Sequence, residues 1–295
     1  MKLSKLSLIF SVALLLMVAI NGAISLVVLG AFDRAQAVQD ERVEALRLVG
    51  ELRHEMDILA RLVRSYVVTR ETRYLTYYYA ILAIREGEKP AIANGSAVRY
   101  WDRVIAGETE FEPPLEGARV SMRSRMVRLG FQGAELAALE EVLAEADALK
   151  QIEQVAFAAT QGLYDPLTRT FVSDGQPHPQ LAVSLVHGLD YDRQHARVAV
   201  AVARLLEQVD LRTGRQVDEA RRHLRNWIIA VISGMAGGAL LVLFGLRTTR
   251  SQVLIPLESM SSATGRLARG QYDVRLAGNG GVEEVRVLRD AFNSM

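Results

Sequence analysis

Residues 226–246 read NWIIAVISGMAGGALLVLFGL, 21 residues without a charge between Arg225 and Arg247. Wound as a helix, that run matches a hydrocarbon layer of about 30 Å. Trp227 stands at its first turn, where an indole favours the headgroup interface. Gly234 and Gly238 form a small-xxx-small pair, a spacing that lets helices approach closely and marks a candidate dimerisation face. A second uncharged run of 27 residues extends from Leu6 to Phe32, behind Lys2 and Lys5. It is too long for the apolar region of a signal peptide. Asn21-Gly22-Ala23 could pass for a processing site, but the apolar run continues through Ile24 and Leu26 to Leu29. Two membrane crossings are therefore predicted, at 6–32 and 226–246.

The flanks set the expected topology. Lys2, Lys5, Arg247 and Arg250 place residues 1–5 and everything after 246 on the cytoplasmic side. Arg221, Arg222 and Arg225 argue the opposite way, but the charge rule weakens for a long translocated segment such as 33–225. Composition agrees with a membrane protein: 295 residues, half of them apolar, with 35 basic and 34 acidic side chains. That balance gives no reason to expect nucleic acid as a partner. The absence of cysteine excludes disulfides, thiol catalysis and thiolate metal sites.

Between the two runs the pattern is helical. Leu46, Val49, Leu52, Met56, Leu59, Val63 and Tyr66 recur every three or four residues. With no glycine from Glu51 to Ile84 and no proline before Pro90, one helix is predicted from the first crossing to about Arg85. Glycines and prolines punctuate 86–118, leaving room for a short helix over 96–105, and a further helical region is expected from about Leu115. Leu136, Leu139, Leu143 and Leu149 mark another helix. Pro166, Gly175, Pro177 and Pro179 break the stretch to Gln180, and a last helix from near Leu181 runs without a strong stop into the second crossing. The fold class is all-α, an antiparallel bundle whose outer helices continue from the membrane helices.

After 246, Met260, Ala263 and Leu267 form one stripe ended by Gly270, a connector spans 271–281, and Val282, Val285, Leu288 and Phe292 form a second stripe. Pro256-Leu257, Leu267, Gly270, Glu283-Glu284-Val285, Leu288 and Ala291-Phe292-Asn293-Ser294-Met295 resemble a HAMP linker, the helix-connector-helix unit of bacterial sensor histidine kinases and chemoreceptors. Pro256 matches the proline that opens the family's first helix and Glu284 the acidic residue that opens its second. Glu283 and Arg286 depart from the usual aspartate and glycine. Leu62 to Tyr79 and Tyr100-Trp101-Asp102 are similar to helical periplasmic sensor domains of hybrid histidine kinases.

The resemblance implies a homodimer in the bacterial inner membrane, with a periplasmic bundle over 33–225. It also implies a HAMP unit over 247–295, its second helix cut short, that relays signals to a cytoplasmic histidine kinase acting on a response regulator. ATP and magnesium are implied only for that further kinase domain. A chemoreceptor input region and an inert structural bundle are the alternatives. Gly234, Gly238, Pro256, Leu267, Gly270, Glu284, Leu288 and Phe292 are the expected relay positions.

No catalytic constellation is visible. His54, His178, His187, His195 and His223 include no pair four apart, although His187 and His195 could share a face with Asp190 or Asp192. No metal, cofactor or phosphate loop is expected. Arg61, Arg64, Arg70 and Arg73 recur beside Tyr74, Tyr77, Tyr78 and Tyr79. Guanidinium groups beside tyrosines suit a small anionic ligand such as a carboxylate, and Tyr100 and Trp101 are candidates to close such a pocket. The competing reading makes these tyrosines a cap on the bundle end, with the arginines in water. A periplasmic protein is the other expected partner.

Overall fold

A computed structural model describes residues 3–92, 97–113, 116–267 and 282–294. Two helices carry the uncharged runs: α1 (Leu3–Thr69) and α7 (Leu189–Thr249). Between them lie α2 (Thr72–Glu86), α3 (Ala97–Ala106), α4 (Met122–Arg128), α5 (Ala134–Gln161) and α6 (Pro179–Val186); α8 (Ile255–Leu267) and α9 (Glu283–Ser294) follow. The chain divides into two compact units. One holds residues 37–218; the other holds α1 up to Gln36 and α7 from Glu219, with α8 and α9.

In the 37–218 unit the predicted stripe of α1 is the core. Val49, Leu52, Met56, Leu59, Val63 and Tyr66 are buried with Ile81, Leu139, Val198 and Leu205 from α2, α5 and α7. The helix predicted to reach Arg85 stops sixteen residues earlier, at Thr69. Arg70 takes a left-handed conformation (φ 62°) and donates its N–H to Tyr66 O at 2.7 Å. The Thr69 hydroxyl accepts the Glu71 N–H at 3.2 Å. A threonine can offer the backbone such a local alternative to the helix, and no glycine or proline was needed to end it. The helix predicted from Leu181 is likewise two. His187-Gly188 separates α6 from α7, and a Cβ at Gly188 would lie 2.5 Å from Ser184 O.

The broken stretch after α5 contains a small hairpin, β1 (Tyr164–Asp165) and β2 (Thr170–Phe171), paired antiparallel with Tyr164 opposite Phe171. Asp165 turns it, its carboxylate accepting the Leu167 N–H and the Thr168 hydroxyl, each at 2.9 Å. Gly162 (φ 76°) closes α5 so tightly that a Cβ there would meet Gly175 O at 2.6 Å. Gly87 (φ 79°) caps α2 against the start of α4, where Ser121 Oγ accepts the Ser124 N–H.

In the other unit, α1 and α7 are long and apolar enough to cross a membrane, and their runs are not buried within the chain. Leu15, Leu26, Leu240 and Phe244 all stand more than 60 % exposed, an apolar surface that water does not favour and that suits a hydrocarbon environment. Toward each other the two runs present unequal faces. A Cβ on Gly234 would meet the Asn21 carboxamide, on Gly238 the Met17 sulfur, and on Gly245 the Phe10 ring. Each pair of numbers sums to 255, the constant register of two antiparallel helices. The glycine face read from the sequence as a dimerisation candidate is thus occupied by the chain's own first run.

Beyond Thr249 the helix passes through a π-helical turn, Arg250–Leu254, into α8. Pro256 has no N–H to offer Gln252 O, and that carbonyl accepts the Val282 N–H at 3.4 Å instead. Met260, Ala263, Val282 and Val285 are buried where α8 and α9 meet. Gly270 and the 271–281 connector lie outside the described residues, as do the side chains of Leu267 and Phe292.

Two glycine substitutions separate these roles. Gly87→Ala is expected to destabilise the chain by about 1–3 kcal/mol, because strain at positive φ adds to a Cβ placed 2.6 Å from Ser121 N. Gly50→Ala, on an open helical surface, is expected to stabilise it by roughly 0.5–1 kcal/mol. Denaturant unfolding of both variants beside the parent chain measures the two shifts.

Candidate functional site

The basic and aromatic positions of the bundle fall into four places. Arg61 and Arg64 project from α1 along a groove of about 590 Å³ that they share with Asp57, Ser65, His187 and His195. Their charges have partners: Arg64 meets Asp192 at 2.7 Å and donates to Val186 O at 3.1 Å, and Arg61 lies 3.6 Å from Asp102. His195 Nε2 faces Asp57 at 3.7 Å, a charged pair only when the imidazole is protonated. Arg70 lines an adjoining groove with Val67, Gln180, Val183 and Gly188, and Val68 and His187 border both.

Arg73 and Tyr74 sit apart at the start of α2. The guanidinium lies over the Tyr74 ring at 4.7 Å and pairs with Glu71 at 2.6 Å. Tyr77, Tyr100 and Trp101 gather with Phe111. Trp101 stacks on Phe111 at 5.4 Å, Tyr77 meets both rings tilted or edge-on, and Tyr100 meets Trp101 edge-on. Trp101 is buried, so this aromatic group is a packed wall and not an open pocket. Asp102 presents its carboxylate to His54 (3.5 Å) as well as to Arg61, tying α3 to α1.

Tyr78 belongs to neither group. Its hydroxyl, deep in the core, donates to Glu153 Oε2 at 2.6 Å, and the Tyr191 hydroxyl donates to Oε1 at 2.8 Å. One carboxylate on α5 thereby fixes α2 and α7. Burial lifts Glu153 above the usual carboxylate range, while the two tyrosine donors pull it back. Burial and the adjacent carboxylate push both tyrosines well above their ordinary value, so both stay protonated donors. Phe157 braces the arrangement with edge contacts to Tyr66 and Tyr78. The sequence reading missed Glu153, because it stands in a run of helix-forming residues where an acid looks solvated.

A second buried ionic group lies one helix over. Glu51 on α1 accepts from Arg47 and from Arg125 of α4, the latter at 3.1 Å. Glu55, one turn on, is 8 % exposed and its Oε2 has no hydrogen-bond partner. Arg85 of α2 is buried nearby, its Nη1 3.7 Å from Met56 Sδ. Further along, Arg212 of α7 joins Glu135 at 2.8 Å and Glu41 at 3.2 Å.

Of the expected relay positions, Gly234 and Gly238 face α1, Pro256 follows the π-helical turn, and Glu284 and Leu288 lie in α9, where Leu288 is exposed. No group of three or more His, Asp or Glu side chains among the described residues is arranged to hold a metal ion.

Tyr78→Phe or Tyr191→Phe leaves Glu153 with a single donor. Each is expected to cost about 1–3 kcal/mol of stability, read as a lower denaturation midpoint with an unchanged slope. No protein-family model, curated protein or solved structure matches this chain; its architecture is that of a membrane-associated helical bundle between two long apolar helices.

Proposed function

We propose that the chain is the input region of a transmembrane signalling protein. In this reading, the 37–218 bundle lies on the outer face of a bacterial inner membrane. Residues 247–295 act as a HAMP-type linker to a cytoplasmic histidine kinase, within a homodimer. The observation that carries the reading is α7, one uninterrupted helix from Leu189 to Thr249. Its first half holds bundle core residues (Tyr191, Val198, Leu205 and Val217), and its second half is the uncharged run. A repacking at Tyr191 or Leu205 is then carried along a single hydrogen-bonded rod.

Three features support the relay. The glycines of α7 receive Asn21, Met17 and Phe10 of α1, a close contact that couples the two apolar runs so that a shift of one is felt by the other. The π-helical turn before Pro256 is a break in helical phase, where movement in α7 is handed to α8. The buried contact of Met260 and Ala263 with Val282 and Val285 gives two amphipathic segments a shared core, one that a second copy would complete as a four-helix bundle. The exposed Leu288 and Val287 provide apolar surface for that copy.

The test exploits helical phase. A reporter histidine kinase is fused after Met295, and one to four alanines are inserted after Arg222 in α7. Each insertion turns everything downstream by about 100°. Kinase output is expected to rise and fall with insertion number and to return near its starting level close to a full turn. Output indifferent to all four insertions rejects the relay. The absence of native cysteine makes a topology check clean: a cysteine at Leu167, 93 % exposed, should react with a membrane-impermeant maleimide in whole cells after outer-membrane permeabilisation.

A further inference from the structure

We propose that Glu55 is a proton-binding site buried in the bundle and that external acidity is a stimulus the bundle reads. The second half of this inference rests on the signalling reading above; the first does not.

The geometry is one of unequal partners. Arg85 lies buried within electrostatic reach of two buried acids, Glu55 on α1 and Glu153 on α5. Glu153 has two tyrosine hydroxyls to hold a negative charge. Glu55 has an oxygen with no hydrogen-bond partner, so a charge on it is supported only at a distance, by Arg85 and Arg125. A carboxylic acid there is the cheaper species, because protonation removes the charge.

Other ionisable groups around Glu55 are already committed. On its own helix, Glu51 one turn earlier is a like charge, held by Arg47 and by Arg125 of α4. From α5, Lys150 pairs with Glu86 at 3.7 Å. The ionic contacts of α3 and α7 with this stretch of α1 go to its neighbours, Asp102 to His54 and His195 to Asp57. Arg85 is the remaining cation, and among the described residues it forms no ion pair. Loss of the proton from Glu55 therefore draws Arg85 away from Met56 and toward the new carboxylate. Arg85 occupies the last turn of α2, two residues before Gly87, which is packed backbone to backbone on the start of α4. The same cation also stabilises charge on Glu153, which anchors Tyr191 at the start of α7. One proton is thus connected to α1, α2 and α4, and to α7 through α5.

Burial raises Glu55 from 4.5 to about 7. The folded chain keeps a proton that the unfolded chain releases near 4.5. Stability contributed by this group is therefore greatest at low pH, falls as pH rises toward about 7, and is level above it.

Infrared difference spectra of the 295-residue chain in lipid nanodiscs, wild type minus Glu55→Gln, test the site. A protonated-carboxyl C=O band is expected at about pH 5.5 and should be gone by about pH 8.5. A difference that shows only ionised carboxylate at the lower pH overturns the proposal. If Glu55→Gln does not fold, Glu55→Met supplies the subtraction without adding an unpartnered amide. In the reporter fusion, moving external pH between the same limits should shift kinase output in wild type and leave the Glu55 variant flat. A pH response that survives the substitution, or output that follows the α7 insertions but ignores pH, overturns the proton as stimulus while the relay stands. Insertions without effect reject the relay instead, and the infrared band alone then decides the binding site.

Discussion

In hydrocarbon, a backbone N–H or C=O without a partner costs several kcal/mol, so a single run of apolar residues can cross only as a helix that bonds to itself. Everything else about this chain is arranged around that constraint. The runs at 6–32 and 226–246 are long and apolar enough to cross such a layer, both are helical, and neither contains a proline. Since the residues that follow the first run and precede the second are also good helix formers, the hydrogen-bond ladder has no reason to stop. It continues to Thr69 in α1 and begins at Leu189 in α7.

Ends of these helices are set by local chemistry. Thr69 and Arg70 end α1 through a hydroxyl and a left-handed residue, and the approach of Gly188 to Ser184 O precedes α7. Between those ends, packing joins helices with apolar stripes while polar groups choose the alignment. Glu153 accepts from Tyr78 and Tyr191, and Glu51 accepts from Arg47 and Arg125, so the two carboxylates tie α5 to α2 and α7 and α1 to α4, five of the bundle's helices in all. Such buried acids cost desolvation energy, and their worth lies in admitting one alignment of helices that apolar stripes alone would allow to slide.

The expected ligand cluster shows how a helical repeat in sequence becomes several places in space. Residues 61–79 were one basic and tyrosine-rich stretch, but the turn at Arg70 redirects the chain. Arg61 and Arg64 stay on the α1 groove, Tyr77 joins Trp101 and Phe111, and Tyr78, its sequence neighbour, points into the core. Adjacent residues on a helix diverge by about 100°, so Tyr77 and Tyr78 cannot share an environment. The Gly234 and Gly238 pair was legible as a close-approach face, but its occupant was not, because a small-residue spacing is the same whether the neighbour is another copy or the same chain.

The sequence alone determined the two apolar helices, the helical class of the segment between them, and the core stripe from Val49 to Tyr66. Each of these is written in periodicity and charge over ten or more residues, where one average dominates many local choices. Only the tertiary structure decided where α1 and α6 stop, that Asn21, Met17 and Phe10 fill the glycine face, and which acids lie inside. Those outcomes depend on single contacts between residues far apart in the chain. Glu55 and Glu153 carry nothing in their neighbouring sequence that distinguishes a buried acid from a solvated one.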